Sequence, residues 1–109
     1  MLIDQEVIED IGYFDENYFA YQEDSDFCYR AIKSGWKVYY YPKSVVIHEG
    51  GNGGSNSVPF KSIFEWHRSY IIYYFKHFSK DYGIFFNAFY FLIMLGKLIL
   101  SEIYFMIRR

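Results

Sequence analysis

The chain has one cysteine, Cys28, two prolines, Pro42 and Pro59, and no lysine or arginine before Arg30. A lone thiol cannot close an internal disulfide, and no second cysteine supplies a zinc spacing. A cytosolic setting is therefore expected, with Cys28 as a small buried hydrophobe. The first ten residues hold four acids and no base, so a secretory signal is not expected there. There is no G-x-G-x-x-G and no Walker loop, so a nucleotide cradle of either kind is not expected within these residues. Nine of the 13 acids lie between Asp4 and Asp26, while 11 bases and four acids follow from Arg30 onward. A nucleic-acid binder with a uniformly basic surface does not look like this, and no nucleic-acid partner is expected.

What is abundant is apolar and aromatic. Of 109 residues, 52% are hydrophobic and 25% aromatic, with 13 Tyr and 12 Phe. That composition excludes a disordered chain and suits a surface meant for a sugar, a base, a partner or a membrane. The acidic front suits metal, proton or hydroxyl chemistry, and the basic, apolar back half suits a membrane surface. The acidic run also reads as a solvated helix face.

Asp4 is placed to cap a helix over Gln5–Ile11, with Val7, Ile8 and Ile11 on one face and Gly12 at its end. Tyr13–Gln22 reads as loop. A second helix is expected over Ser25–Ser34, capped by Asp24 or Ser25, with Phe27, Cys28, Ala31 and Ile32 inward and Gly35 at the stop. Met1–Ile3 reads as the end of a strand. Trp36–Tyr41 and Ser44–His48 read as short strands, followed by the glycine-rich loop Glu49–Ser57. Phe60–Phe78 carries a helical stripe through Ile63, His67, Ile71 and Tyr74. Ile84–Ile107 reads as a long apolar helix. Its polar stripe joins Asn87, Met94, Ser101 and Arg108, with Tyr90, Lys97 and Tyr104 beside it. Only 15 uncharged residues run from Tyr82 to Gly96, short of the roughly 20 that a span needs. The helix therefore reads first as an in-plane interfacial helix, then as a core helix against a further unit, then as a span.

Chemistry-bearing residues gather in three places: the carboxylates Glu23, Asp24 and Asp26 at a helix start, His48 with Gly50 and Gly51 at a strand end, and the aromatic loop Tyr13–Tyr21. A carboxylate at a loop–helix junction can act as general base on a hydroxyl, and glycine backbone beside a histidine can approach phosphate. Each feature also has a plain reading as cap, loop or linker.

In order, Gly12-Tyr13-Phe14-Asp15-Glu16, Glu23-Asp24-Ser25-Asp26-Phe27-Cys28-Tyr29-Arg30, Gly35-Trp36-Lys37-Val38 and Val45-Val46-Ile47-His48 stand in the chain. This series resembles the C-terminal half of family 2 glycosyltransferases of the rhamnosyltransferase-like kind, over about half the chain. Arg68-Ser69-Tyr70 and Lys76-His77-Phe78 resemble that family's amphipathic helix more loosely.

The resemblance implies an α/β fold: the C-terminal part of a GT-A (Rossmann-like) domain with few strands, followed by two long amphipathic helices. Residues 1–57 would form the acceptor-side part, 58–80 an amphipathic helix and 81–109 an apolar, membrane-interfacial helix. It implies inverting transfer of a sugar from a nucleotide-sugar donor to a saccharide or lipid-linked acceptor, in cell-surface polysaccharide or glycolipid synthesis. By the resemblance Asp24 is the base, Glu23 and Tyr21 lie on the acceptor side, and Asp26 and Arg30 support the loop. His48, Gly50 and Gly51 would face the donor diphosphate or a divalent cation, Mg or Mn, with His48 as the metal ligand.

The family's upstream Asp-x-Asp has no counterpart here. Asp24-Ser25-Asp26 lies in the acceptor-side motif instead. The resemblance therefore implies a fragment or split gene completed by a separate N-terminal half, inactive alone, and peripheral on the cytoplasmic face of the cell membrane. A non-catalytic α+β module that docks on a membrane or partner, and a degenerate product that folds poorly, stand as the alternatives.

Overall fold

The computed structural model describes residues 1–47 and 58–108. Its helices are α1 (Gln5–Ile11), α2 (Glu23–Lys33), α3 (Pro59–His77) and α4 (Ile84–Arg108), with a 3-10 turn at Ser79–Asp81 before α4. Among the described residues there is no strand, which overturns the expected α/β, GT-A-like architecture. Met1–Ile3, Trp36–Tyr41 and Ser44–Ile47 form no ladder. Tyr40 and Val45 are about nine-tenths exposed, at 89% and 90%. Strand preference in β-branched and aromatic residues expresses fit to a pleated, half-buried surface. Without a neighbouring strand to complete that surface, these residues stay irregular. His48 and Glu49–Ser57 lie outside the described residues.

Local chemistry sets the helix limits. Asp4 accepts the Glu6 N–H at 3.1 Å and starts α1. Gly12, at φ 78°, closes it and donates its N–H to Ile8 O at 2.9 Å. Past the end of α2, Gly35 takes φ 92°, and Trp36 N–H reaches back to Ala31 O at 2.9 Å. This is the left-handed stop that glycine permits at lowest strain. The start of α2 differs from expectation. It begins two residues earlier, and its cap is Gln22, with no side-chain hydrogen bond. Pro59 begins α3, where its missing N–H needs no partner.

The elements meet at a buried carboxylate. Asp26, on α2, is 0% exposed. Its Oδ2 accepts Arg30 Nε at 2.8 Å. Its Oδ1 lies 2.7 Å from Lys76 Nζ and 2.6 Å from His77 Nε2, both at the end of α3, and accepts the Tyr18 hydroxyl at 3.4 Å. An ionised carboxylate only accepts, so His77 Nε2 carries the proton it shares. Arg30 also donates to Ile11 O at 2.6 Å and Tyr13 O at 2.7 Å, which fixes the end of α1.

Further contacts lay α3 antiparallel along the loop between α1 and α2. Lys76 pairs with Asp15 at 2.6 Å. Ser69 Oγ donates to Ala20 O at 2.7 Å, Arg68 donates to Asn17 O at 3.0 Å, and Lys61 stands over the Phe19 ring. Lys61, Arg68 and Lys76 recur on one side of α3 at roughly the two-turn repeat of a helix.

Helix α4 packs on α3 with its polar stripe. Asn87 accepts the Tyr74 hydroxyl at 2.6 Å and donates to Ser79 O at 2.9 Å. Tyr90 stacks on Tyr74 at 3.8 Å between centroids, Met94 is buried, and Phe105 meets Phe60 edge-on. Ile84, Phe85, Leu92, Leu100 and Ile107 face outward and are exposed. A soluble amphipathic helix points its apolar face at the core. This one is turned the other way.

Burial pushes the Asp26 carboxyl up, but hydrogen bonds from Lys76, Arg30 and His77 outweigh it and hold it down at about 2. An unfolded Asp titrates near ~3.9. A depressed folded value gives stability that is complete above about pH 4 and lost as pH falls through about 2. Urea unfolding followed by circular dichroism should therefore show a loss of roughly 2 kcal/mol from this group between pH 5 and pH 2. In Asp26→Asn that part of the acid dependence should vanish.

Candidate functional site

The carboxylate corner is built on a strained turn. Tyr21 and Gln22 both take left-handed backbone, at φ 68° and 65°. Each such non-glycine residue costs on the order of 1 kcal/mol and persists only where its surroundings over-determine it. Here the surroundings are α3, through Ser69 on Ala20 and Arg68 on Asn17, together with buried Tyr18 just ahead. The turn delivers Glu23 and Asp24 as the first residues of α2.

Residues two apart on a helix point about 200° away from each other. Asp24 and Asp26 are therefore parted by geometry. Asp26 turns inward to the ion-pair hub, and Asp24 stays exposed, its Oδ1 accepting Ser25 N–H at 2.7 Å. Glu23 is half-buried, and its Oε2 is buried without a partner among the described residues. An orphaned buried acceptor carries a desolvation cost of about 1–3 kcal/mol until a donor reaches it. The corner thus offers one solvent-facing carboxylate that can take a proton, with the enclosed Glu23 oxygen behind it.

Tyr21, Glu23 and Asp24 stand together at this corner, and Asp26 and Arg30 pair one turn behind it. His48, Gly50 and Gly51 lie outside the described residues. Among the described residues no three His, Cys, Asp or Glu side chains are placed to hold a metal ion. Asp26 is committed to the side chains of Arg30, Lys76 and His77. The described residues therefore do not fit a divalent cation, and no step is derived through one. Sequence reasoning missed Tyr18, Lys76 and His77 as partners of Asp26. The legible signal was an acid flanked by Phe27 on an inward helix face, which demands cations from elsewhere in the chain.

The hub shifts its other members as well. Lys76 donates to Asp15 and lowers that carboxyl. Burial opposes the charge on Lys76, but the hydrogen bonds to Asp15 and Asp26 prevail and raise it. Burial first, and then the Asp26 charge, raise Tyr18, so Tyr18 stays a neutral donor.

Over 48 residues the chain is 40% identical to the N-acetylglucosaminyl-diphospho-decaprenol L-rhamnosyltransferase of Mycobacterium tuberculosis, in strains CDC 1551 and H37Rv alike. The aligned stretch is 44% of this chain and 16% of each relative. The likeness is thus local, and it is to a glycosyltransferase. No protein-family model matches the chain. No solved structure matches it.

The two aspartates should separate under substitution. Asp24→Asn, at an exposed site, should change unfolding free energy by less than about 0.5 kcal/mol. Asp26→Ala removes the buried acceptor shared by Arg30, Lys76 and His77 and should cost about 3 kcal/mol. Urea denaturation of both variants reads the difference directly.

Proposed function

We propose that this chain is the acceptor-side, membrane-facing part of an inverting sugar transferase of the family 2, rhamnosyltransferase-like kind, working with a nucleotide-sugar-binding unit. The observation that carries the reading is the local 40% identity to rhamnosyltransferases. The exposure of Asp24 at the start of α2, beside a Glu23 oxygen without a partner among the described residues, supports it.

In this reading Glu23 and Tyr21 stand on the acceptor side. Asp24 takes the proton of the attacking hydroxyl. The hydroxyl oxygen forms its bond to the anomeric carbon from the face opposite the leaving group. The bond from that carbon to the nucleoside diphosphate breaks, the electron pair leaves with the diphosphate, and configuration inverts. His48, Gly50 and Gly51 face the leaving diphosphate. Asp26 and Arg30 do not touch the sugar. They hold the corner still, which matters because misplacement by about 1 Å can cost roughly a hundredfold in rate.

The relatives are named for an N-acetylglucosaminyl-diphospho-decaprenol, and a lipid-linked acceptor is the class proposed here. Among the described residues one helix, α4, is long and apolar enough to cross a membrane. Its inward polar stripe and Lys97 near its middle favour lying in the plane of the cytoplasmic leaflet. Burying each Phe or Leu of the outward face would contribute roughly 1.5–3 kcal/mol.

The test is transfer of labelled sugar to a lipid-linked acceptor, in membranes carrying the chain with its nucleotide-sugar-binding unit. Asp24→Asn should lower transfer at least about a hundredfold and leave nucleoside diphosphate affinity unchanged. Transfer at the wild-type rate would remove Asp24 from the base role.

A further inference from the structure

A groove of about 520 Å³ opens between α3 and α4, within the roughly 300–1,000 Å³ of small-molecule sites. Ile63 and Trp66 of α3 and Phe105 of α4 line its apolar side. Lys97 and Ser101, one turn apart on α4, supply a cation and a hydroxyl. Lys97 Nζ stands 5.6 Å from the centre of the Trp66 ring, and among the described residues no carboxylate pairs with it. His67 also lines the groove and is 4% exposed. Its Nδ1 is 2.8 Å from Ile63 O, so Nδ1 carries a proton there. Nε2, across the ring, has no partner among the described residues. Tyr21 lines the groove as well, three residues before Asp24.

We propose that this groove seats the phosphate head and first isoprene units of a polyprenyl-diphosphate-linked acceptor. The assignment rests on the sugar-transfer reading for the identity of the lipid. Charge complementarity argues for the head: the described lining residues include the Lys97 cation and the hydroxyls of Ser62 and Ser101, and no acid. The apolar side argues for the hydrocarbon, and the outward apolar face of α4 gives the remaining chain a bilayer to enter. Tyr21 then turns the sugar end of the acceptor toward Glu23 and Asp24. The site is specific in both halves. Trp66 and Phe105 take a lipid that Lys97 alone would not hold, and Lys97 distinguishes the diphosphate from the bare alcohol.

The test uses the full chain carrying Trp36→Phe, so that Trp66 is the sole tryptophan. Farnesyl diphosphate is titrated in detergent, with farnesol and inorganic diphosphate in parallel, and Trp66 fluorescence is read. Farnesyl diphosphate should give a saturable change. Farnesol should bind at least tenfold more weakly and inorganic diphosphate should give no change. Lys97→Gln should weaken farnesyl diphosphate at least tenfold with helix content preserved, and Ser101→Phe, which fills the groove, should abolish the change. Equal affinity for farnesol, an unaltered Lys97→Gln, or no saturable change would overturn the assignment. No sugar nucleotide is present in this experiment. Saturable binding here with no transfer in the labelled-sugar assay would therefore sink the transfer reading alone, and transfer in that assay without binding here would sink the groove alone.

Discussion

The Asp26 carboxylate is the point from which the rest of the structure is held. It is fully enclosed, and its two oxygens gather Arg30 from its own helix, Lys76 and His77 from the end of α3, and the hydroxyl of Tyr18. A buried charge is tolerated only when paired and hydrogen-bonded. This one is paired by elements about fifty residues apart in sequence. The cations thereby tie α2 to α3, and Arg30 carries the tie on to the end of α1 through two backbone carbonyls.

Two consequences follow on opposite sides of α3. On one side α3 is laid along the loop ahead of α2, and the left-handed pair Tyr21–Gln22 is held in place. That turn presents Glu23 and Asp24 at the protein surface. On the other side α3 offers Tyr74, Tyr70 and Trp66 to the polar stripe of α4. Once that stripe is used in packing, the outward large residues of α4 have no cover among the described residues. Phe85, for instance, is 89% exposed. A contiguous exposed apolar face marks an interaction surface, and a lipid leaflet is the partner proposed for it.

Elements governed by local rules were legible in the sequence. Asp4, Gly12 and Gly35 mark helix ends where the structure has them, and the limits read for α3 and α4 lie within one residue of those observed. Elements governed by distant contacts were not. Trp36–Tyr41 and Ser44–Ile47 have strand composition, but a strand exists only with a partner backbone, and composition cannot supply one. The start of α2 was read too late because no side chain caps it. A turn stabilised by α3 does that work. Of the hub, the Asp26–Arg30 spacing of one helical turn was visible, while Lys76 and His77 reach it only through the tertiary fold. The polar stripe of α4 was visible as periodicity, but which side of the helix α3 would take was not.

The account stands on α4 being held by its polar stripe with its apolar face in lipid, and depth along the helix measures this most directly. In a Cys28→Ser background, single spin labels placed from residue 84 to 107 on vesicle-bound chain would report oxygen accessibility position by position. The account predicts a helical period. Maxima fall at positions such as 85, 92, 100 and 107, minima at 87, 90, 94, 97 and 101, and the depth of the maxima is constant from one end of α4 to the other. A profile deepest at the centre of α4 and shallow at both ends would contradict it, because that is the profile of a helix crossing the bilayer. Uniformly low oxygen accessibility would contradict it as well.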